Sequence, residues 1–184
     1  MNRFLTAIAV LFTVFACKTP EARRPISQKT GSTIEASIER NKKLNEKEEN
    51  IIESIINQNP DREYFSSASG FWYYYNVQDT STTQKPVIGD LVNFDYDIKS
   101  LDGKTILTQK DLGTQNYQID QSNQELISGL REGLKLMKEG ETVTFLFPSH
   151  KAFGYYGYED KIGSNLPIQS TVTLNQIKTN NIED

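Results

Sequence analysis

The chain has 184 residues with 36% hydrophobic side chains, enough for one buried core together with additional segments. A net charge of −4 and an isoelectric point near 5.2 argue against the basic surface that nucleic-acid binding requires, so we expect no nucleic-acid partner. One histidine, His150, and one cysteine, Cys17, cannot form a typical zinc site or a Cys–His catalytic pair. No glycine-rich phosphate loop is present, and we therefore expect neither a metal nor a cofactor.

The N-terminal residues have the pattern of an export signal. An apolar run at 4–15 follows Arg3; it is too short to span a bilayer comfortably but suits a signal-peptide core. The run ends in V-F-A-C, a loose lipobox in which the cysteine, Cys17, would be acylated, although the phenylalanine is bulkier than the strict pattern has. From this pattern we predict a lipoprotein signal peptide at 1–16 and a lipid anchor on Cys17. Several acyl chains on one cysteine would bind a membrane stably. An ordinary signal peptide with an incidental cysteine, or a short uncleaved anchor, would also explain these residues.

A polar spacer and a helix are predicted next. Residues 17–31 contain prolines and polar or charged residues with hardly any apolar side chain, which is the composition of a flexible tether. Ser32 and Glu35 have the spacing of a capping box, and isoleucines follow at helical spacing, so we predict an amphipathic helix over 32–59. Its isoleucine-rich part, 51–56, either packs on the following domain or pairs with another subunit or a client. We favour packing.

An aromatic strand is predicted at residues 71–77. Phe71, Tyr73 and Tyr75 share one face of that strand, whereas Trp72 and Tyr74 share the other. Such a row is also typical of a stacking platform for sugars or bases. Because no basic residues are interleaved, we predict packing within a sheet instead.

Four further segments show the period-two alternation of strands. Their inward faces would be Val92, Phe94, Tyr96 and Ile98; Tyr117 and Ile119; Val143, Phe145 and Phe147; and Val172 and Leu174. The first segment runs into Asp102-Gly103, a strong signal for a hairpin turn. The last strand is predicted over 171–177, after a loop at 149–167.

A central helix is predicted between the second and third of these strands. Ser122 and Glu125 form another capping-box pattern, and Gly140 is well placed to end the helix. One face of the helix would carry Leu126, Ile127, Leu130, Leu134 and Met137.

Taken in order, these motifs resemble the FKBP-type peptidyl-prolyl isomerases. The match rests on F-x-Y with its D-G-K turn, E-L-I-S-G-L-x-E-G-L, M-K-x-G-E, A-F-G-Y-x-G, and L-P leading into T-V-T-L, over about residues 70–178. The resemblance implies an α+β fold, with an FKBP-like twisted antiparallel sheet wrapped around one short helix. Here the amphipathic helix and the flexible tether would precede it, and we place the isomerase domain at 66–180.

The same resemblance implies the residues of the active site. Tyr96 would be the wall tyrosine that donates a hydrogen bond, Leu130 the floor, and the backbone N–H of Ile127 a contact for a ligand carbonyl. The implied catalytic set is Tyr96, Tyr117, Leu126, Ile127, Leu130, Phe153 and Tyr158, and the implied substrate-binding set is Ile106, Leu107, Leu166 and Leu174. Each of these, taken singly, would also suit an ordinary core.

Three positions depart from the family's pattern. Leu130 stands where the family usually has tryptophan, which predicts a deeper or less tightly filled pocket. Ile106 and Leu107 replace an aromatic residue and an aspartate, so the usual carboxylate partner of the wall tyrosine is missing. Phe153 replaces a frequent tyrosine and thereby removes a hydroxyl donor.

Two functional classes follow from this pattern. The first is a lipid-anchored isomerase that accelerates X-Pro isomerisation in exported envelope proteins, and the second is a chaperone or interaction module that holds proline-containing segments with little turnover. A structural lipoprotein with a vestigial pocket is a third alternative. The order of lipobox, spacer, helix, aromatic strand and domain is similar to that of gliding-motility-associated isomerase lipoproteins. That similarity implies a cell-envelope, periplasm-facing location and proline-containing envelope proteins as clients.

Overall fold

A long helix precedes an antiparallel sheet that packs against a short helix. The computed structural model describes residues 30–121 and 126–179. Its elements in chain order are α1 (Thr30–Asn57), β1 (Phe65–Ser67), β2 (Phe71–Val77), β3 (Leu91–Tyr96), β4 (Ile98–Ser100), β5 (Thr105–Leu107), α2 (Gln109–Leu112), β6 (Gln115–Gln118), α3 (Ser128–Leu134), β7 (Thr142–Phe147) and β8 (Ile168–Lys178).

The strands of the described residues form one sheet in the order β1-β2-β7-β8-β3-β6, while β4 pairs with both β8 and β5. Every pairing is antiparallel. β7 and β8 pair along the whole of β7, from Thr142 opposite Thr173 to Phe147 opposite Ile168. The predicted α+β architecture, an antiparallel sheet around one short helix, is confirmed.

The core is densely aromatic where the sheet meets α3. The Phe145 ring lies 5.8 Å from that of Phe71 and 5.4 Å from that of Phe147, and all three are at most 1% exposed. Burying each such ring contributes roughly 1.5–3 kcal/mol. α3 approaches these rings at two glycines on one face: a Cβ on Gly129 would lie 2.5 Å from Phe147, and one on Gly133 would lie 2.9 Å from Phe145. The absence of a side chain at these positions sets how closely the helix packs on the sheet.

The aromatic strand β2 is covered on its other face as well. Tyr74 is 7% exposed, its ring centroid lies 5.1 Å from that of Tyr64, and the Arg62 guanidinium lies 4.1 Å from the Tyr74 ring centroid. Because other side chains contact the β2 rings on both faces of the strand, β2 is not an open stacking platform. The predicted packing within the sheet is therefore what the structure contains.

α1 begins two residues before the predicted start and ends at Asn57 rather than 59. Thr30 and Gly31, predicted to belong to the tether, are already helical. Residues from Glu39 onward belong to one compact unit, and within it Ile52 has no exposed surface whereas Ile51 is 40% exposed. The burial of Ile52 favours packing for that part of the helix.

The prediction for the central helix is wrong at both ends. Ser122 and Glu125 lie outside the described residues, and α3 begins only at Ser128. Ile127, its N-cap, is extended with φ −55° and ψ 146°, so Leu126 and Ile127 precede the helix rather than lie on its face. The helix ends at Leu134, and Met137 is buried in the turn that follows.

Gly140 ends no helix. It has φ +83° and its N–H donates to the Leu174 carbonyl over 2.7 Å, in the turn that leads into β7. The helical spacing up to Met137 predicted a helix C-cap at Gly140, but a glycine with positive φ serves the end of a helix and other turns equally well.

The predicted signal peptide at 1–16, Cys17 and the tether up to residue 29 lie outside the described residues. Within the described ranges, no helix combines the length and the apolar character needed to cross a membrane.

Candidate active site

A cavity of about 760 Å³ lies beside the start of α3, against β3, β5 and β6 and the loop that follows β7. Its walls are mainly aromatic and aliphatic. The described residues that line it are Phe94, Tyr96, Ile98, Leu107, Asp111, Leu112, Gln115, Asn116, Tyr117, Leu126, Ile127, Leu130, Phe153 and Tyr158. This size and composition are typical of a small-ligand or peptide pocket.

The seven residues predicted as catalytic all line this cavity, and so does Leu107. The other three predicted contacts do not. Leu174 is completely buried in the core, opposite Phe94, and Leu166 is half-buried against the core cluster. Ile106 and Leu107 are neighbours on β5, and because successive strand residues point to opposite faces, only Leu107 is directed into the cavity.

The extended backbone at Ile127 explains how three neighbouring residues reach one pocket. Leu126 and Ile127 come before the first turn of α3, whereas Leu130 lies within it and is 1% exposed. A helix that started at Ser122, as predicted, would have directed these side chains along one helical stripe. Because α3 starts late, Leu126 and Ile127, which precede the helix, and Leu130, which lies within it, all line the same cavity.

A loop after β7 supplies the remaining aromatic wall. The Phe153 and Tyr158 rings lie 5.2 Å apart at an angle of 42°. Tyr158 is held by a backbone bridge, in which its N–H donates to the Ile162 carbonyl over 2.9 Å. The bridge lets Tyr158 stay 39% exposed at the cavity mouth while its backbone remains fixed.

Tyr96 is the hydroxyl donor best placed on the wall. Burial, together with the nearby Tyr158, raises the pKa of Tyr96 above its usual value, so the phenol stays protonated at neutral pH. Among the described residues, no side chain or carbonyl accepts a hydrogen bond from this hydroxyl. It is therefore available to donate to a carbonyl oxygen of a bound molecule.

Sequence reasoning missed α2, which contributes Asp111 and Leu112 to the wall. Thr108 caps this helix: its N–H and Oγ1 donate to Asp111 Oδ2 over 2.9 and 2.6 Å, while Asp111 N–H donates back to Thr108 Oγ1. The Thr108 hydrogen bonds lower the pKa of Asp111. The T-x-x-D spacing was the signal that predicts this cap. Asp111 is the one carboxylate among the described lining residues, and it bonds to Thr108 rather than to Tyr96.

A metal site requires several ligating side chains close together. Across residues 30–121 and 126–179, no group of three His, Cys, Asp or Glu side chains is placed to hold a metal ion. Burial, followed by the charge of Lys151, lowers the pKa of His150, which does not line the cavity. The arrangement can bind an apolar segment and donate a hydrogen bond to it.

Comparison with known proteins places this geometry in context. A curated protein, "Probable FKBP-type peptidyl-prolyl cis-trans isomerase FkpA" of Neisseria meningitidis serogroup B, is 32% identical over 113 residues. That alignment covers 61% of this chain and 39% of the relative, so this chain matches less than half of that relative's length.

Two solved structures share the fold. FkpA from Escherichia coli has a TM-score of 0.57 at 23% identity and covers 94% of this chain and 81% of its own. A peptidyl-prolyl cis-trans isomerase from Pseudomonas syringae pv. tomato has a TM-score of 0.53 at 23% identity, covering 63% and 81%. At this level of identity the likeness shows the fold alone, and it confirms the predicted FKBP-like architecture.

The family assignment comes from the sequence model of the FKBP-type peptidyl-prolyl cis-trans isomerases, which matches residues 82–175. This range is slightly more than half of the chain and includes every described residue of the cavity lining, from Phe94 to Tyr158. The chain therefore belongs to the FKBP-type peptidyl-prolyl cis-trans isomerase family.

Proposed function

We propose that the cavity beside α3 catalyses cis–trans isomerisation of X-Pro bonds in protein substrates. The observation that carries this proposal is one cavity whose lining brings together Leu130 and the four rings of Tyr96, Tyr117, Phe153 and Tyr158. Its position within the family-matched residues adds to the argument.

The reaction needs no nucleophile and no proton transfer. Rotation about an amide meets a barrier of about 18–20 kcal/mol, because the bond loses conjugation when it twists. X-Pro exchange is therefore slow, on the order of tens to hundreds of seconds, and can limit folding. A site that binds the twisted amide more tightly than either planar isomer accelerates the exchange.

The residues of the cavity suit that requirement. A twisted amide is less dipolar than a planar one, so apolar walls favour it relative to water. Tyr96 is placed to donate to a substrate carbonyl, and the Ile127 N–H, at the start of α3, is a second candidate donor. Leu126, Leu107 and the rings of Phe153 and Tyr158 enclose the prolyl side, with Tyr117 completing the wall.

Exchange spectroscopy on a short X-Pro peptide tests this function. We expect the chain without residues 1–17 to catalyse exchange and Tyr96→Ala or Phe153→Ala to lower the catalysed rate about tenfold or more, since each removes part of the transition-state contact. Tyr156→Ala is the matched control, because Tyr156 is in the same loop but 93% exposed and outside the lining. A wild-type protein that does not accelerate exchange, or variants that are as fast as the control, would contradict the proposal.

A second function is favoured by what the lining lacks. Leu130 lines the cavity without an aromatic ring, and the one carboxylate among the described lining residues, that of Asp111, is bonded to Thr108 rather than to the Tyr96 hydroxyl. Weak chemistry with retained binding would make the protein a holder of proline-containing segments. In the experiment above, this alternative predicts peptide binding by titration without a measurable gain in exchange rate.

The place of action is a further part of the proposal. The signal-peptide pattern at 1–16 and its terminal Cys17 support a chain that is exported, acylated and tethered to a cell-envelope membrane. Proline-containing envelope proteins are the clients that such a location brings within reach, and the similarity to motility lipoproteins makes the gliding machinery a specific candidate.

Fatty-acid labelling tests the anchor, and surface spreading tests the role in motility. We expect a labelled fatty acid to be incorporated into the wild-type chain and not into Cys17→Ser. We expect a deletion strain to spread more slowly on a surface. Complementation with wild type should restore spreading. Equal labelling of Cys17→Ser would exclude the anchor, and normal spreading of the deletion strain would exclude the role in motility without affecting the isomerase.

A further inference from the structure

Glu48 is a buried carboxylate on α1, far in sequence from the pocket. It is 2% exposed and accepts two hydrogen bonds from one residue, Ser149: the backbone N–H donates to Oε2 over 2.7 Å, and the hydroxyl donates to Oε1 over 2.8 Å. Ser149 is itself 1% exposed and lies 101 residues away. Among the ion pairs of the described residues none includes Glu48, so these two hydrogen bonds are what stabilises its buried carboxylate.

Ser149 forms backbone hydrogen bonds within the turn that carries Phe153, a residue of the cavity wall. Its carbonyl accepts hydrogen bonds from the N–H groups of Ala152 over 3.0 Å and Gly154 over 2.8 Å. Phe153 lies between these two residues, so the peptide unit that follows Phe153 and the peptide unit that precedes Ala152 are both hydrogen-bonded to the Ser149 carbonyl. A displacement of Ser149 would therefore displace the Phe153 ring.

The other side of the turn rests on the start of α3. Ser128 Oγ lies 3.4 Å from the Lys151 carbonyl oxygen, to which it donates. That carbonyl also lies 2.9 Å from the position a Cβ on Gly129 would take. The turn is thus held between the carboxylate on α1 and the helix that carries Leu130.

We infer that Glu48 is a positioning residue for the active site. Its carboxylate holds Ser149 in place, and Ser149 in turn places Phe153 against the bound proline. A buried carboxylate is costly unless hydrogen bonds satisfy it, and both hydrogen bonds to Glu48 come from Ser149. The family-matched region begins at residue 82, so this contact reaches the pocket from outside that region. The inference deepens the proposed function and rests on it.

The test uses the full-length chain in mild detergent. We expect Glu48→Ala to lower kcat/KM for X-Pro exchange about tenfold, because small misplacements of a substrate-contacting group have effects of that order. The NMR signals of the Phe153 ring should shift or broaden. Glu48→Gln should recover most of the rate, since its amide oxygen can accept from the Ser149 N–H and its amide nitrogen can donate to the hydroxyl.

Two controls separate positioning from general stability. Glu49→Ala removes the same charge from an exposed neighbour and should change neither readout. Ile52→Ala removes a fully buried side chain from the same helix without removing an acceptor, and should lower the melting temperature while leaving the Phe153 signals in place. Unchanged Phe153 signals in Glu48→Ala, or an equal disturbance in Ile52→Ala, would overturn the inference.

The outcome is distinguishable from failure of the isomerase proposal. If wild type does not catalyse exchange, the Phe153 signals and the dissociation constant of an X-Pro peptide still report whether Glu48 places the wall. Loss of peptide affinity in Glu48→Ala with unchanged affinity in Glu49→Ala would then support positioning in a binding protein.

Discussion

Replacing Gly129 by alanine is expected to destabilise the protein by about 3 kcal/mol, at the upper end of the range for overpacked sites. The added Cβ would lie 2.5 Å from Phe147 Cδ1 and 2.9 Å from the backbone oxygen of Lys151. Alanine's higher helix propensity would recover only about 0.5–1 kcal/mol, so the steric term decides the sign. Because Phe147 is fully buried and the second contact is to backbone, neither neighbour can move without disturbing the core.

The effect should reach the active site as well. Moving the start of α3 displaces Leu130, which lines the cavity. It also displaces the Lys151 carbonyl, which belongs to the turn that carries Phe153 and accepts a hydrogen bond from Ser128. Denaturant unfolding measures the stability and exchange spectroscopy measures the activity. Gly163→Ala is the matched control, since Gly163 is exposed and a Cβ there meets nothing within 4 Å. Equal stability of the two variants would show that the helix has room to move away from the sheet.

The second large effect is expected at Glu141, whose side chain is completely buried. Its carboxylate accepts from the backbone N–H of Lys138 over 2.8 Å and from that of Asp79 over 3.1 Å, and so joins the segment after β2 to the turn before β7. Glu141→Ala leaves these two partly buried backbone donors without their acceptor. We expect a loss of roughly 3 kcal/mol, since a hydrogen bond to a charged group contributes about 1.5–3 kcal/mol.

Glu139→Ala is a suitable control for this loss. Glu139 is exposed and accepts one backbone hydrogen bond, from Ile177 N–H over 2.9 Å, so its removal should cost less than about 1 kcal/mol. A spectroscopic readout is available too. Burial and then the Glu141 charge raise the pKa of Tyr75 to about 12, and that pKa should fall when the carboxylate is removed. A Glu141→Ala variant as stable as Glu139→Ala would mean that the freed donors find other partners.

Local patterns determined much of this protein. Alternation alone predicts the buried faces of β3 and β8, because successive strand residues point to opposite sides whatever the rest of the chain does. On β7 the predicted face is buried, but Thr144 and Leu146 on the opposite face are buried as well. The Asp102-Gly103 turn follows from local chemistry in the same way: Gly103 adopts φ +88° between β4 and β5. The ordered motifs were also sufficient to name the family and seven residues that line the cavity.

Contacts between distant segments decided the rest. Neither helical periodicity nor capping patterns could show that Leu126 and Ile127 precede the helix, because the sheet and cavity around them set where α3 begins. Which of Ile106 and Leu107 enters the cavity depends on the register of β5 against β4, and a one-residue shift would reverse the choice.

The hydrogen-bond partners of the two buried carboxylates could not be predicted from the sequence either. Glu48 and Glu141 look like ordinary charged surface residues in the sequence, and a charge run of the kind around Glu48 is usually solvated. Only the tertiary structure brings Ser149 to the first and the Asp79 backbone to the second. The physical reason is that local propensity fixes which face a residue occupies, whereas burial and hydrogen-bond partners depend on segments that are remote along the chain.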